Sequence, residues 1–241
     1  MTKHPSNLPR LLAEGFVVVL SILLAFGIDA SWDARRDRIE AGAVLADLGR
    51  EMSENLELLE FVIGIREARS AAALQLLAGA GSFSGDESLR EALAVVFLDY
   101  SSVNLRTGAY SLFLAGGSTE QIQSQELRSL LASWPGLVEE NTEDELIEAE
   151  MTNAVLIPFL STRIGIAAVY SDHPAPEETY GTFPQSELEF AWTPRGLLND
   201  PEFQNLTVMR LARNRILVRE ARALRDATER MVALLEEEIA R

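Results

Sequence analysis

Residues 11–30, LLAEGFVVVLSILLAFGIDA, are apolar on every side of a helix rather than along one stripe. At about 1.5 Å per residue this stretch reaches about 30 Å, the hydrocarbon thickness of a bilayer. It is therefore expected to be a membrane-spanning helix. Only Gly15 to Ile28 is free of charge, which is short for a span, so a buried core helix and the h-region of a signal peptide are the alternatives. A core helix would carry a polar stripe, and VVVLSILLAF offers only Ser21, whose hydroxyl can bond back to its own helix. A cleavable signal would use Ala25-Phe26-Gly27 behind Lys3 and Arg10, yet the run passes into helix-compatible sequence without a break.

Four residues of this region are candidates for membrane or oligomer contact. Glu14 lies one turn inside the span, where its carboxylate must snorkel to the headgroups or meet a polar group on another helix. Ser21 and Ala25 have the small-xxx-small spacing that lets a second helix approach. Trp32 has the amphipathic ring expected at the interface. Lys3 and Arg10 flank one end, and Arg35, Arg36 and Arg38 the other, so counting basic residues does not orient the span. The expected arrangement is single-pass in a bacterial inner membrane, with the tail inside and the long domain in the periplasm.

About 210 residues follow the anchor, enough for one sizeable core. The net charge of −16 argues against nucleic acid and anionic lipid as the main partners of the domain, since both reward clustered cations. With no cysteine there is no disulfide, thiolate metal site or cysteine nucleophile.

Residues 1–10 form a short polar tail. From Ser31 onward, Leu45, Leu48, Met52, Leu56, Leu59 and Ile63 recur three or four apart, the spacing of a helix with one buried face. No proline separates this helix from the span, so one rod is possible. Gly79, Gly81 and Gly85 break it, and Asp86 opens a second helix. Residues 104–115 read as a short helix closed by Gly116-Gly117, a corner rather than a phosphate loop, because no strand precedes it and no lysine follows. Pro135 is expected to end or kink the helix containing Leu127, Leu131 and Trp134, with another helix following to about Thr162.

The block EENTEDELIEAE contains seven acidic residues between Glu139 and Glu150 and no basic one. A carboxylate di-metal site needs a Glu-x-x-His pair on each of two helices, and the only histidines are His4 and His173. No metal or cofactor is expected, and the block reads as a solvated or salt-bridged face. Its complement is the last helix, opened by Asn199-Asp200-Pro201-Glu202 and carrying Arg210, Arg213, Arg215, Arg219, Arg222 and Arg225. The two helices are expected to be neighbours, with Glu145, Glu148, Arg213 and Arg219 as pairing candidates. Residues 170–186, with three prolines, read as a long loop within the domain. Asp172-His173 there lacks an accompanying nucleophile motif, so no catalytic residue is assigned.

Several stretches together resemble a widespread family of uncharacterised bacterial single-pass membrane proteins: AEGFVVVLSILLAFGIDASWDARRDR, TGAYSLFLAGGSTEQIQSQELRSLLASW and LLNDPEFQNLTVMRLARN. The positions carrying the resemblance are Glu14, Trp32, Tyr110, Gly116, Gly117, Leu127, Arg128, Asn199, Phe203 and Asn205; the departure is Trp134 followed by Pro135. The resemblance implies a membrane anchor and an all-helical domain, and it implies no activity.

The expected protein is all-α: residues 1–10 a tail, 11–30 a transmembrane helix, and 31–241 an extramembrane bundle of about six helices. Its expected work is interaction, as a homo-oligomeric scaffold or an accessory subunit of a larger membrane complex, rather than catalysis. The alternative is an extracytoplasmic sensory domain that binds a small molecule or cation, with the loop around His173 closing over it.

Overall fold

The computed structural model describes residues 8–116, 122–171 and 193–240. These are all-helical, with no strand among them. Helix α1 runs without interruption from Leu8 to Ala78, 71 residues and about 105 Å of rod. The apolar stretch is thus the first third of the helix that also forms the wall of the domain. It ends where Gly79 takes φ +90, a left-handed conformation that a residue with a Cβ rarely adopts. After a 3-10 turn, Ala80–Ser82, helix α2 (Asp86–Leu93) begins with two acids in its first turn and widens into a π turn at Ala94–Leu98.

Helix α3 is Gly108–Ala115, four residues shorter than its sequence suggests. Asn55 explains the difference: its side chain accepts from the Arg106 amide and donates to the Arg106 carbonyl, both at 2.8 Å, holding that strand of backbone out of helix. Glu51 then accepts from the Ala109 and Tyr110 amides at 2.7 and 2.9 Å, so a carboxylate on α1 caps the start of α3.

Helix α4 is Gln125–Met151, capped by Ser124, and continues through a π turn at Thr152–Leu156 into α5, Ile157–Ser161. Pro135 lies inside α4 and does not end it. Proline leaves the carbonyl four residues earlier without its helical donor, and here the Tyr110 hydroxyl donates to that Leu131 carbonyl at 2.5 Å. Two short helices follow, α6 (Ile166–Ser171) and α7 (Pro194–Leu197). Tyr170 and Ser171, read as loop from sequence, close α6, whereas His173 lies outside the described residues. Helix α8 is Pro201–Ile239; Asp200 caps it by accepting from the Glu202 amide at 2.8 Å, with Pro201 in first position. The bundle of about six helices expected from sequence is, counting α1, eight α-helices among the described residues.

Helices α1, α4 and α8 form the frame. Arg66 meets Glu145 and Arg69 meets Glu148, so α4 ascends beside α1 in the same direction. Helix α8 descends, because Phe203 packs beside Phe97, while Leu224, Met231 and Leu235 share a core with Leu48 and Met52. Two apolar cores result. The far one stacks Phe97 on Phe203 at 5.0 Å and takes in Phe159, Leu89 and Leu76. The near one centres on Trp134, whose Nε1 donates to the Thr228 hydroxyl at 3.0 Å and whose ring lies 5.1 Å from Tyr110.

Candidate functional site

Two features of the molecule call for a functional account: an uncovered length of α1 and a buried layer of charge. In the first, Leu23 to Asp29 are exposed without exception, seven consecutive residues spanning nearly two turns. Phe16 and Phe26 are each 67% exposed and Trp32 69%. No face of the helix is packed there. Contiguous exposed apolar surface, here a sleeve, is a feature that marks places of contact. Of the four contact candidates, Ala25 and Trp32 lie exposed on it; Glu14 and Ser21 belong to the same helix, but their side chains are outside the described residues. Among the described residues no helix is long and apolar enough to cross a membrane. Within 11–30, the side chains of residues 11–15, 17–19, 21, 22 and 30 are not among those described.

The second feature separates the two cores. Arg66, Arg69 and Arg210 are at most 1% exposed, as is Glu148, and Glu145 is 6% exposed. The Arg66 guanidinium donates to Glu145, to Asn141 Oδ1 at 3.2 Å and to the carbonyls of Leu217 and Ser101, each at 3.1 Å. Glu145 also accepts from the Val103 amide at 3.1 Å and from Asn141 at 2.8 Å. Glu148 Oε1 lies 3.0 Å from Arg69 Nη1 and 2.8 Å from Arg210 Nη1, so one carboxylate oxygen joins α1, α4 and α8. The remaining donors of Arg210 reach the Val96 carbonyl, the Thr152 hydroxyl and the Asp99 carbonyl. Asn214 donates to the Arg66 carbonyl at 2.6 Å and to Ser70.

Burial pushes the Arg210 guanidinium down to about 10, against the pull of Glu148, and lowers Arg69 for the same reason. Arg210 thus remains charged at neutral pH. Three buried cations face two buried carboxylates, with Asp99 near enough to Arg69 and Arg210 to contribute a third negative charge. Glu148 Oε2 is buried without a hydrogen-bond partner. Nearly every other group is satisfied, which is the condition under which a buried ion network holds.

A further acidic contact lies along the α4–α8 seam. Burial, then Asp144 and Glu140, raise the Glu220 carboxyl to about 7, with Arg219 opposing at 3.4 Å. Arg213 donates to Asp144, while Glu220 Oε2 is buried and unpartnered.

The four pairing candidates therefore have different surroundings. Glu148 meets Arg210 and Arg213 meets Asp144 across the α4–α8 seam, whereas Glu145 turns to Arg66 on α1, and Arg219 is 74% exposed against its own neighbour Glu220. Of the solvated or salt-bridged face expected for the acidic block, Glu145 and Glu148 form the salt-bridged part, and they are buried because α1 supplies arginines to meet them. Arg66 and Arg69 were the residues missed. Their signal is periodicity, since the apolar series Leu59, Ile63, Ala73, Leu76 passes through positions 66 and 69/70. The same stripe is polar at Asn141, Glu145, Glu148 and Thr152 on α4 and at Arg210 and Asn214 on α8. Among the described residues no cluster of three or more acidic or histidine side chains is arranged to hold a metal. No family model, no curated protein and no solved structure matches this chain.

Proposed function

We propose that this chain is a membrane-anchored interaction protein, a homo-oligomeric scaffold or an accessory subunit of a bacterial inner-membrane complex. In this reading residues 11–30 span the bilayer, the tail lies inside, and the helical domain stands in the periplasm. The observation that carries it is the sleeve: Leu23–Asp29 is uncovered on all sides, yet belongs to the same unbroken helix as the buried wall of the domain. Lipid or other transmembrane helices would cover that surface. The resemblance to single-pass membrane proteins in the same stretch supports the same reading.

The test is expression of the full chain in a bacterium, followed by alkaline carbonate washing of its membranes. The expected result is that the chain stays in the pellet and that Leu23→Arg/Leu24→Arg releases it, as charges near the centre of a span are expensive. Recovery of the unaltered chain in the wash would overturn the anchor.

A further inference from the structure

Part of the exposed side of α4 is acidic, and part of the exposed side of α8 is basic. On α8, Arg215, Arg219 and Arg222 stand at i, i+4 and i+7, one side of the helix, and line an open groove with Glu67 and Ser70 of α1. Arg222 donates to Glu67 at 2.6 Å, and among the described residues Arg219 pairs with its neighbour Glu220. Arg215 is exposed and has no ion-pair partner among the described residues. On α4, Glu139, Glu143 and Glu150 share the side turned away from the ionic layer. All three are exposed and likewise unpaired among the described residues.

The two stripes flank the same turn of α1. Arg222 bonds Glu67, and the buried neighbour of the acidic stripe, Glu145, bonds Arg66. Both stripes therefore stand at the same height, about 55 Å beyond Ala30 along the rod. That distance removes the headgroups of the anchoring bilayer as the occupant of the basic groove. Two copies held upright in one membrane would present acid and base to each other at matching level.

We propose that a second copy of this chain, anchored alongside, docks its Glu139, Glu143 and Glu150 stripe against the Arg215, Arg219 and Arg222 groove. The inference rests on the anchor proposed above. Exposed ion pairs are individually weak. Confinement of both copies to one plane raises their effective concentration, so a few such pairs suffice. Because the donor and acceptor faces differ, the contact is head-to-tail and builds rings or rows rather than closed pairs.

The chain contains no cysteine, which makes introduced ones specific reporters. Full-length copies bearing Glu143→Cys and Arg219→Cys, with different tags, are co-expressed and oxidised in isolated membranes. The expected result is a cross-link between copies that is lost when Ser133→Cys replaces Glu143→Cys. Arg215→Glu/Arg222→Glu in the basic copy abolishes it, and Glu139→Arg/Glu150→Arg in the acidic copy restores it. A yield no higher than that of Ser133→Cys, a yield indifferent to charge reversal, or a loss that the reciprocal reversal fails to restore would each overturn the docking. Carbonate washing of the same samples separates the two proposals. If the chain is washed out, the anchor fails, and the same cross-link and rescue in the soluble fraction decide the docking on its own.

Discussion

Around Trp134 and again around Phe97, the frame helices meet through apolar side chains; between these places the same helices meet through three guanidinium groups and two carboxylates. The apolar cores supply the driving force, since burial of hydrocarbon is favourable wherever it occurs. For that reason they are tolerant of position. A slide of α4 along α1 by one turn, about 5.4 Å, would still bring leucine against leucine. The layer is not tolerant: the same slide would part Arg66 from Glu145 and Arg69 from Glu148, could re-form at most one Arg–Glu pair, and would leave the other arginine and the other glutamate buried without a partner. The cores make the domain collapse, and the layer sets its register.

The largest expected effect separates these two roles. Glu148→Ala removes the carboxylate shared by Arg69 and Arg210 and is expected to cost about 3–5 kcal/mol, read by urea denaturation of the full chain in detergent. Replacing the partners together, Arg69→Met/Glu148→Leu/Arg210→Met, is expected to recover most of that loss, as apolar isosteres of buried ion networks often do. If the triple variant is no better than Glu148→Ala, the layer contributes stability rather than register alone.

A middle-sized effect comes from the seam. Glu220 has its carboxyl raised to about 7 in the folded chain against an ordinary 4.5, so the folded state holds its proton more tightly than the unfolded one. Stability from this group is therefore full below about pH 4.5 and is lost as pH rises through about 7. Glu220→Gln should flatten that fall and raise stability at pH 8 by on the order of 2 kcal/mol, visible in melts taken between pH 5 and pH 8. Equal slopes for the two chains would remove Glu220 from the seam's pH response.

The smallest effect is expected where an ion pair is exposed. Arg230 forks onto both oxygens of Glu126, at 2.7 and 2.8 Å, with both side chains about half exposed. Arg230→Ala is expected to leave the urea midpoint almost unchanged, and to lose even that small effect in high salt. A cost near that of Glu148→Ala would mean that burial does not distinguish the layer from the surface.

The fold was legible where periodicity and punctuation agree: the unbroken run into α1, its end at Gly79, and the Asp200-Pro201 start of α8 all follow from local chemistry. That Pro135 does not end its helix could not be read locally, because the compensation, the Tyr110 hydroxyl on the Leu131 carbonyl, comes from a helix 21 residues away in the chain. The start of α3 was set too early because Asn55 and Glu51, which decide it, lie more than fifty residues upstream. The layer was half legible. An acidic helix and a basic helix announce each other, but the apolar period that passes through Arg66 and Arg69 does not by itself show that two arginines fill core positions. That requires aligning three stripes and noticing that each turns polar at the same level.

The continuity of α1 has a mechanical consequence. Between Leu24 and Arg69 there is no loop, proline or left-handed residue to act as a swivel. A helix turns about 100° for each residue, so the azimuth of every side chain on a stiff rod is set by that of every other. Torque applied to the sleeve would then be delivered, undivided, to the guanidinium groups of Arg66 and Arg69. A piston stroke along the rod would reach the same two groups, with Glu145 and Glu148 as the stops against which either movement is felt.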